Sequence, residues 1–189
     1  MAVAFRHGDP RLPFFWEYAD QPAARWHADG DGPVQYLADT PDGAWAEFLR
    51  QEEIVDPADL AGVRRRIWAI ELPDTIWGAA VPELPSHVLH GGPETYPRCR
   101  LEARRLRAAG ADALRAPSAA VLPGGARGQL TQGGLVEAPE RDGVVWALFG
   151  ARDDLRGWAA SDAGAPTARV LALVRQFGAG RVKAPPPRR

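Results

Sequence analysis

The chain has 189 residues, 46% hydrophobic and 25% charged, with a net charge of -1, which suits one globular domain with a single core. No run approaches the eighteen or so apolar residues of a membrane helix, Met1–His7 lacks the basic start and apolar centre of a signal peptide, and the lone Cys99 excludes an internal disulfide framework and cysteine-cluster metal sites, so a cytoplasmic protein is expected. Residues 1–62 hold four arginines against twelve acids whereas the rest of the chain is mildly basic, and since the arginines are balanced overall, the charge gives no reason to expect direct nucleic-acid binding.

In chain order, residues 1–32 read mostly as loop with a short strand near Val3–Arg6. Gly30-Asp31-Gly32-Pro33 then delivers the chain into a strand over Val34–Ala38. Thr40-Pro41 is a helix start, with Thr as N-cap and Pro at the first helical position, and the helix should run to about Glu53. Its apolar residues Ala44, Trp45, Phe48 and Leu49 cover an arc of about 140° at roughly 100° per residue, and Glu47 lies about 60° beyond the Ala44 edge, bordering the buried face. Arg66–Leu72 alternates as a strand. Residues 73–97, rich in proline and glycine, read as a long irregular connection of the kind that is often functional or covered by a partner.

Pro97–Ala109 reads as a helix ending at Gly110, and a strand over Ala113–Leu122 carries Pro117-Ser118. Val144–Phe149 is a strand, Thr167–Phe177 an amphipathic helix closed by Gly178, and residues 184–189 a disordered Pro/Arg tail after a single domain over 1–183. Strands and helices mix without regular alternation, so the fold class is α+β.

Arg25, Tyr36 and Glu47 recur at steps of eleven, a spacing that fits neither the helical nor the strand period. A fixed cation, an aromatic ring with a hydroxyl and a carboxylate are what a site needs to hold a phosphorylated nucleoside and break its glycosidic bond. On residue type alone, Tyr36 also fits a core position, Glu47 a solvated helix face, and Arg25-Trp26 a cation on a ring. Neither Gly-x-Gly-x-x-Gly nor a P-loop occurs, so a bound dinucleotide would not use either turn. His87-x-x-His90 has a metal-compatible spacing but only Glu83 or Glu94 as a nearby third ligand, and no metal is expected. Arg98–Arg107 is arginine-rich but interrupted by Glu102; it reads as a solvated face or a docking surface for an acidic partner.

Placed in order, Ala23-Ala24-Arg25-Trp26-His27, Val34-Gln35-Tyr36-Leu37-Ala38, Ala44-Trp45-Ala46-Glu47 and Ala116-Pro117-Ser118-Ala119 resemble the signature of the RES domain family, with Phe5-Arg6 and the strand Ile67–Pro73 extending the likeness over roughly residues 3–123. Two departures stand out: alanines at 23 and 24, with His27, where the family favours Gly-Gly and Asn, and no Asn-Pro pair after residue 123. The resemblance implies an ADP-ribosyltransferase-like fold with a mixed or antiparallel β core and flanking helices. It implies an activity that consumes NAD+ as substrate, by glycohydrolysis, phosphorolysis or ADP-ribosyl transfer. It also implies a toxin role beside an Xre-type helix-turn-helix antitoxin, and is compatible with a homodimer. Within it, Arg25 and Arg6 would clamp phosphates, Tyr36 would stack on nicotinamide, Glu47 would stabilise the developing oxocarbenium ion, and Ser118 would bond phosphate or ribose. A catalytically inactive binding protein of the same fold is the first alternative, and an arginine-rich nucleic-acid-binding module the second.

Overall fold

The computed structural model describes residues 2–12, 14 and 21–178. The tail over 184–189 lies outside them. The strands are β1 (Ala2–Gly8), β2 (Val34–Ala38), β3 (Arg65–Leu72), β4 (Ala113–Pro117), β5 (Gln129–Thr131), β6 (Leu135–Glu137), β7 (Val144–Phe149) and β8 (Gly157–Gly164). The helices are α1 (Pro41–Gln51), α2 (Asp74–Trp77), α3 (Ser86–His90), α4 (Tyr96–Ala108) and α5 (Ala168–Leu171). Six strands form one antiparallel sheet in the order β4-β7-β2-β1-β3-β8, and β5-β6 form a separate hairpin. The fold is α+β.

The sheet is split at its centre. The β1 and β2 strands share a single residue pair, Phe5 with Ala38, whereas β1 pairs with β3 along all seven of its residues and β2 with β7 along all five. Two three-stranded halves therefore diverge from one point. Each half carries its own helix. Trp45, Phe48 and Leu49 of α1 pack with Ala38, Ile67 and Val170, while Cys99, Ala103 and Leu106 of α4 pack with Val34, Leu114 and Ala147. Val34, Tyr36 and Ala38 alternate onto one face of β2, so both helices cover the same face, with a gap between them where the sheet opens. On the opposite face, Leu37, Ile70, Leu72, Trp146 and Leu148 pack beneath α2. Burial on both faces is why β7 reads Val-Val-Trp-Ala-Leu-Phe without a polar residue.

A local signal sets the start of α1. Thr40 is extended and its side chain accepts from the Gly43 N–H at 2.9 Å, with Pro41 following, so α1 starts where the sequence places it. Several expectations are corrected. The segment 73–97 is not irregular throughout; it contains α2, α3 and a 3₁₀ turn over Pro93–Thr95. The strand expected over Ala113–Leu122 stops at Pro117, where Ser118 turns the chain. The helix expected over Thr167–Phe177 is one turn, α5, after which the chain extends: Val174 bridges Val121 and the Arg175 N–H donates to the Ala120 carbonyl at 2.7 Å. Neither β8 nor the β5-β6 hairpin is anticipated by the sequence pattern. No helix among the described residues is long and apolar enough to cross a membrane.

Candidate active site

The gap between α1 and α4 is a cleft of about 610 Å³. Arg6, Arg25, Tyr36 and Glu47 all line it, from β1, the 24–27 turn, β2 and α1 respectively. The turn is closed by the Ala24 N–H donating to the His27 carbonyl at 3.0 Å. Among the described non-glycine residues only Glu53 has a positive φ, so Ala23 and Ala24 sit in ordinary backbone conformations and need no glycine.

Tyr36 holds this turn from below. Its hydroxyl accepts from the Trp26 N–H at 3.0 Å and meets His27 Nδ1 at 3.0 Å, while His27 Nε2 meets the Pro22 carbonyl at 3.0 Å. Burial lowers the His27 pKa, favouring the neutral ring. With Nε2–H donating to Pro22, Nδ1 is free to accept from the Tyr36 hydroxyl, and each group has a partner. His27 at the asparagine position of the motif thus completes the relay. Burial pushes the Tyr36 phenol up, so it stays protonated.

Arg25 projects from the turn toward α3 and α4. Its Nη2 donates to the Gly91 carbonyl at 2.7 Å and its Nη1 to the Val88 carbonyl at 3.2 Å, with the guanidinium 4.8 Å from the centre of the Tyr96 ring. Glu47, half-buried on the cleft-facing edge of α1, receives a hydrogen bond from Ser118 Oγ at 2.9 Å on Oε1. Ser118 is buried, and its oxygen also accepts from the Ala120 and Val121 N–H groups at 3.2 Å each. One donor and two acceptor positions are all engaged. The structure therefore places Ser118 behind Glu47, on the wall of a separate hollow of about 500 Å³ with Ser86, His90 and Arg175.

A family model of the RES domain matches residues 3–131, more than half of the chain and the stretch that supplies Arg6, Arg25, His27, Tyr36, Glu47 and Ser118. The chain belongs to the RES domain family. A search of curated proteins finds no match. The RES family is associated with NAD-acting enzymes.

The rest of this RES cleft is strongly cationic. Arg6 donates to Gln35 Oε1 across the split between β1 and β2, and burial together with Arg65 pulls its pKa down to about 9, leaving it charged at neutral pH. His7, beside Phe48, is held down at about 3 by burial, Arg65 and Arg6, and is neutral. Arg50 stands one turn beyond Glu47 on α1, 4% exposed, with its guanidinium 4.5 Å from the centre of the Phe177 ring. Arg50, Arg65, Tyr96 and Phe177 line the cleft as much as the motif residues do, yet the motif does not include them. The available signal for Arg50 is an arginine directly after the core pair Phe48-Leu49, three residues from Glu47 on the same side of the helix.

Proposed function

We propose that this protein consumes NAD by cleaving the bond between nicotinamide and ribose, as a glycohydrolase, phosphorylase or ADP-ribosyltransferase. The observation that carries the reading is Glu47: a carboxylate oriented by Ser118 faces a cleft whose other walls are Arg6, Arg25 and Tyr36, in a chain of the RES family. A cleft of about 610 Å³ is within the usual range for small-molecule and cofactor sites.

The chemistry asks little proton transfer of the protein. In NAD the nicotinamide nitrogen already bears the positive charge, so when the C1′–N bond breaks its electron pair neutralises the departing base and the charge passes to the ribose as an oxocarbenium ion. The Glu47 carboxylate stabilises that cation, and the fixed Ser118 hydrogen bond keeps one oxygen in place so that no reorganisation is needed at the transition state. Water, phosphate or a protein side chain then forms the new bond at C1′; with water, the proton released goes to Glu47 or to solvent. The guanidinium groups of Arg25 and Arg6 offer charge-assisted bonds to the pyrophosphate. Tyr36 contributes its ring face, since its hydroxyl is engaged with Trp26 and His27.

The same resemblance supports a toxin role in the cytoplasm, silenced by an Xre-type helix-turn-helix antitoxin that covers the cleft. Incubating the purified protein with NAD, with and without phosphate, and measuring free nicotinamide tests the enzymatic reading. Release is expected in at least one buffer. Its absence in both, with no NAD binding by calorimetry, would contradict the proposal and leave a binding protein of the RES fold.

A further inference from the structure

Two supports hold the proposed reacting groups, and one buried side chain joins them. The first runs from Glu47 to Ser118, and so to the turn over residues 118–121. The second runs from Arg25 to the Gly91 carbonyl at the end of α3. The two segments belong to different packing clusters: Ala120 and Val121 pack with α1, Val88 and Leu89 with α4.

Arg50 touches both. Its Nη1 donates to the Ala119 carbonyl, next to Ser118, and its Nη2 donates to the His90 carbonyl at 3.1 Å and the Gly91 carbonyl at 2.9 Å. The Gly91 oxygen thus accepts from Arg25 and Arg50 together. A carbonyl has two lone pairs, and here both are directed by guanidinium groups. Glycine is required at this corner: a Cβ on residue 91 would lie 2.3 Å from Thr95 Cγ2 and 2.7 Å from the His87 carbonyl. The planar guanidinium, with several donors in a fixed fork, can bind three carbonyls at once, and a lysine ammonium on a flexible stem cannot reproduce that geometry. Arg50 is also held from one side by the Phe177 ring, and Glu47 is the carboxylate that favours its charge against burial and against Arg25 and Arg175.

We infer that Arg50 is a positioning residue that locks Arg25 and Glu47 into one frame, so that the group binding phosphate and the group stabilising the oxocarbenium ion keep a fixed separation. The catalytic half of this inference rests on the NAD-cleaving reading. The mechanical half does not.

Hydrogen exchange on Arg50→Lys tests the frame without any ligand. Protection is expected to fall by about tenfold or more in residues 86–95 and 118–122 together, while Val144–Phe149 in β7 stays protected. Loss in only one segment, or in neither, overturns the proposal; faster exchange everywhere, or a variant that does not fold, assigns Arg50 to general stability and overturns it too. In turnover, Arg50→Lys is expected to lower kcat and weaken ADP-ribose binding by about tenfold each, about 1.4 kcal/mol apiece. Ser118→Ala should lower kcat with little change in ADP-ribose affinity. A folded Arg50→Lys protein with both quantities within twofold of the parent contradicts the inference. Joint loss of protection in a protein that never releases nicotinamide would keep the frame and sink the enzymatic reading.

Discussion

The Ser118 hydroxyl donates to Glu47 Oε1 at 2.9 Å while its oxygen accepts the Ala120 and Val121 N–H groups. A serine that reads as a ligand contact in the motif is, in the fold, the clamp on the carboxylate. Ser118→Ala removes that bond and leaves two buried N–H groups without their acceptor. The expected outcome is a loss of about 1–3 kcal/mol in stability, seen by chemical denaturation, with a fall in kcat of about tenfold and KM nearly unchanged. A variant as stable and active as the parent would remove Ser118 from the account.

Tyr36→Phe separates the ring from the hydroxyl. The ring face remains in the cleft, but the Trp26 N–H and His27 Nδ1 lose their shared partner. A destabilisation of about 1–3 kcal/mol is expected, together with a rise in the KM for NAD, because the turn that carries Arg25 loosens. If stability and KM both stay at parental values, the relay from Trp26 to His27 does not hold the turn.

His7 makes stability depend on pH. Burial, Arg65 and Arg6 depress its pKa from 6.5 to about 3 in the folded protein. As the pH falls below 6.5 the unfolded chain takes up the proton and the folded one does not. This contribution to stability is therefore full above about pH 6.5 and is lost as the pH drops toward 3, at up to about 1.4 kcal/mol per pH unit. Denaturation curves across that window should show the slope in the parent protein and a reduced slope in His7→Phe. Equal slopes would show that His7 titrates normally.

Gly91→Ala places a methyl group against Thr95 and the His87 carbonyl. Relief requires the backbone to move, and with it the oxygen that Arg25 and Arg50 share. A loss of about 1–3 kcal/mol is expected from overpacking, measured by thermal unfolding, with a larger proportional loss of NAD turnover at a temperature where the variant is fully folded. Unchanged turnover in the folded variant would separate the shared carbonyl from function.

Much of the fold is legible in local pattern. Val34–Ala38 and Val144–Phe149 are strands over the residues the pattern marks, and Thr40-Pro41 starts α1, because apolar periodicity and capping chemistry are local properties. The β8 strand, Gly-Trp-Ala-Ala-Ser-Asp-Ala-Gly, has little intrinsic strand preference and forms by pairing with β3. The spacing of Val170, Leu171 and Val174 is helical, yet the chain leaves the helix because backbone bonds to Ala120 and Leu122 compete with it. At the site, Arg25, Tyr36 and Glu47 are marked by the RES pattern and line one cleft. Arg50 is invisible in that pattern because an arginine on a helix reads as a solvated charge; only the tertiary fold brings the carbonyls of 90, 91 and 119 around it.

The most direct test of the central claim compares nicotinamide release from NAD by the parent protein and by Glu47→Gln, which preserves shape and the capacity to accept from Ser118 but removes the negative charge. The parent should release nicotinamide, and Glu47→Gln should lose at least about a hundredfold in kcat, the scale of removing one electrostatic stabiliser, while keeping its fold and its affinity for ADP-ribose. Release by Glu47→Gln at the parental rate would contradict the account.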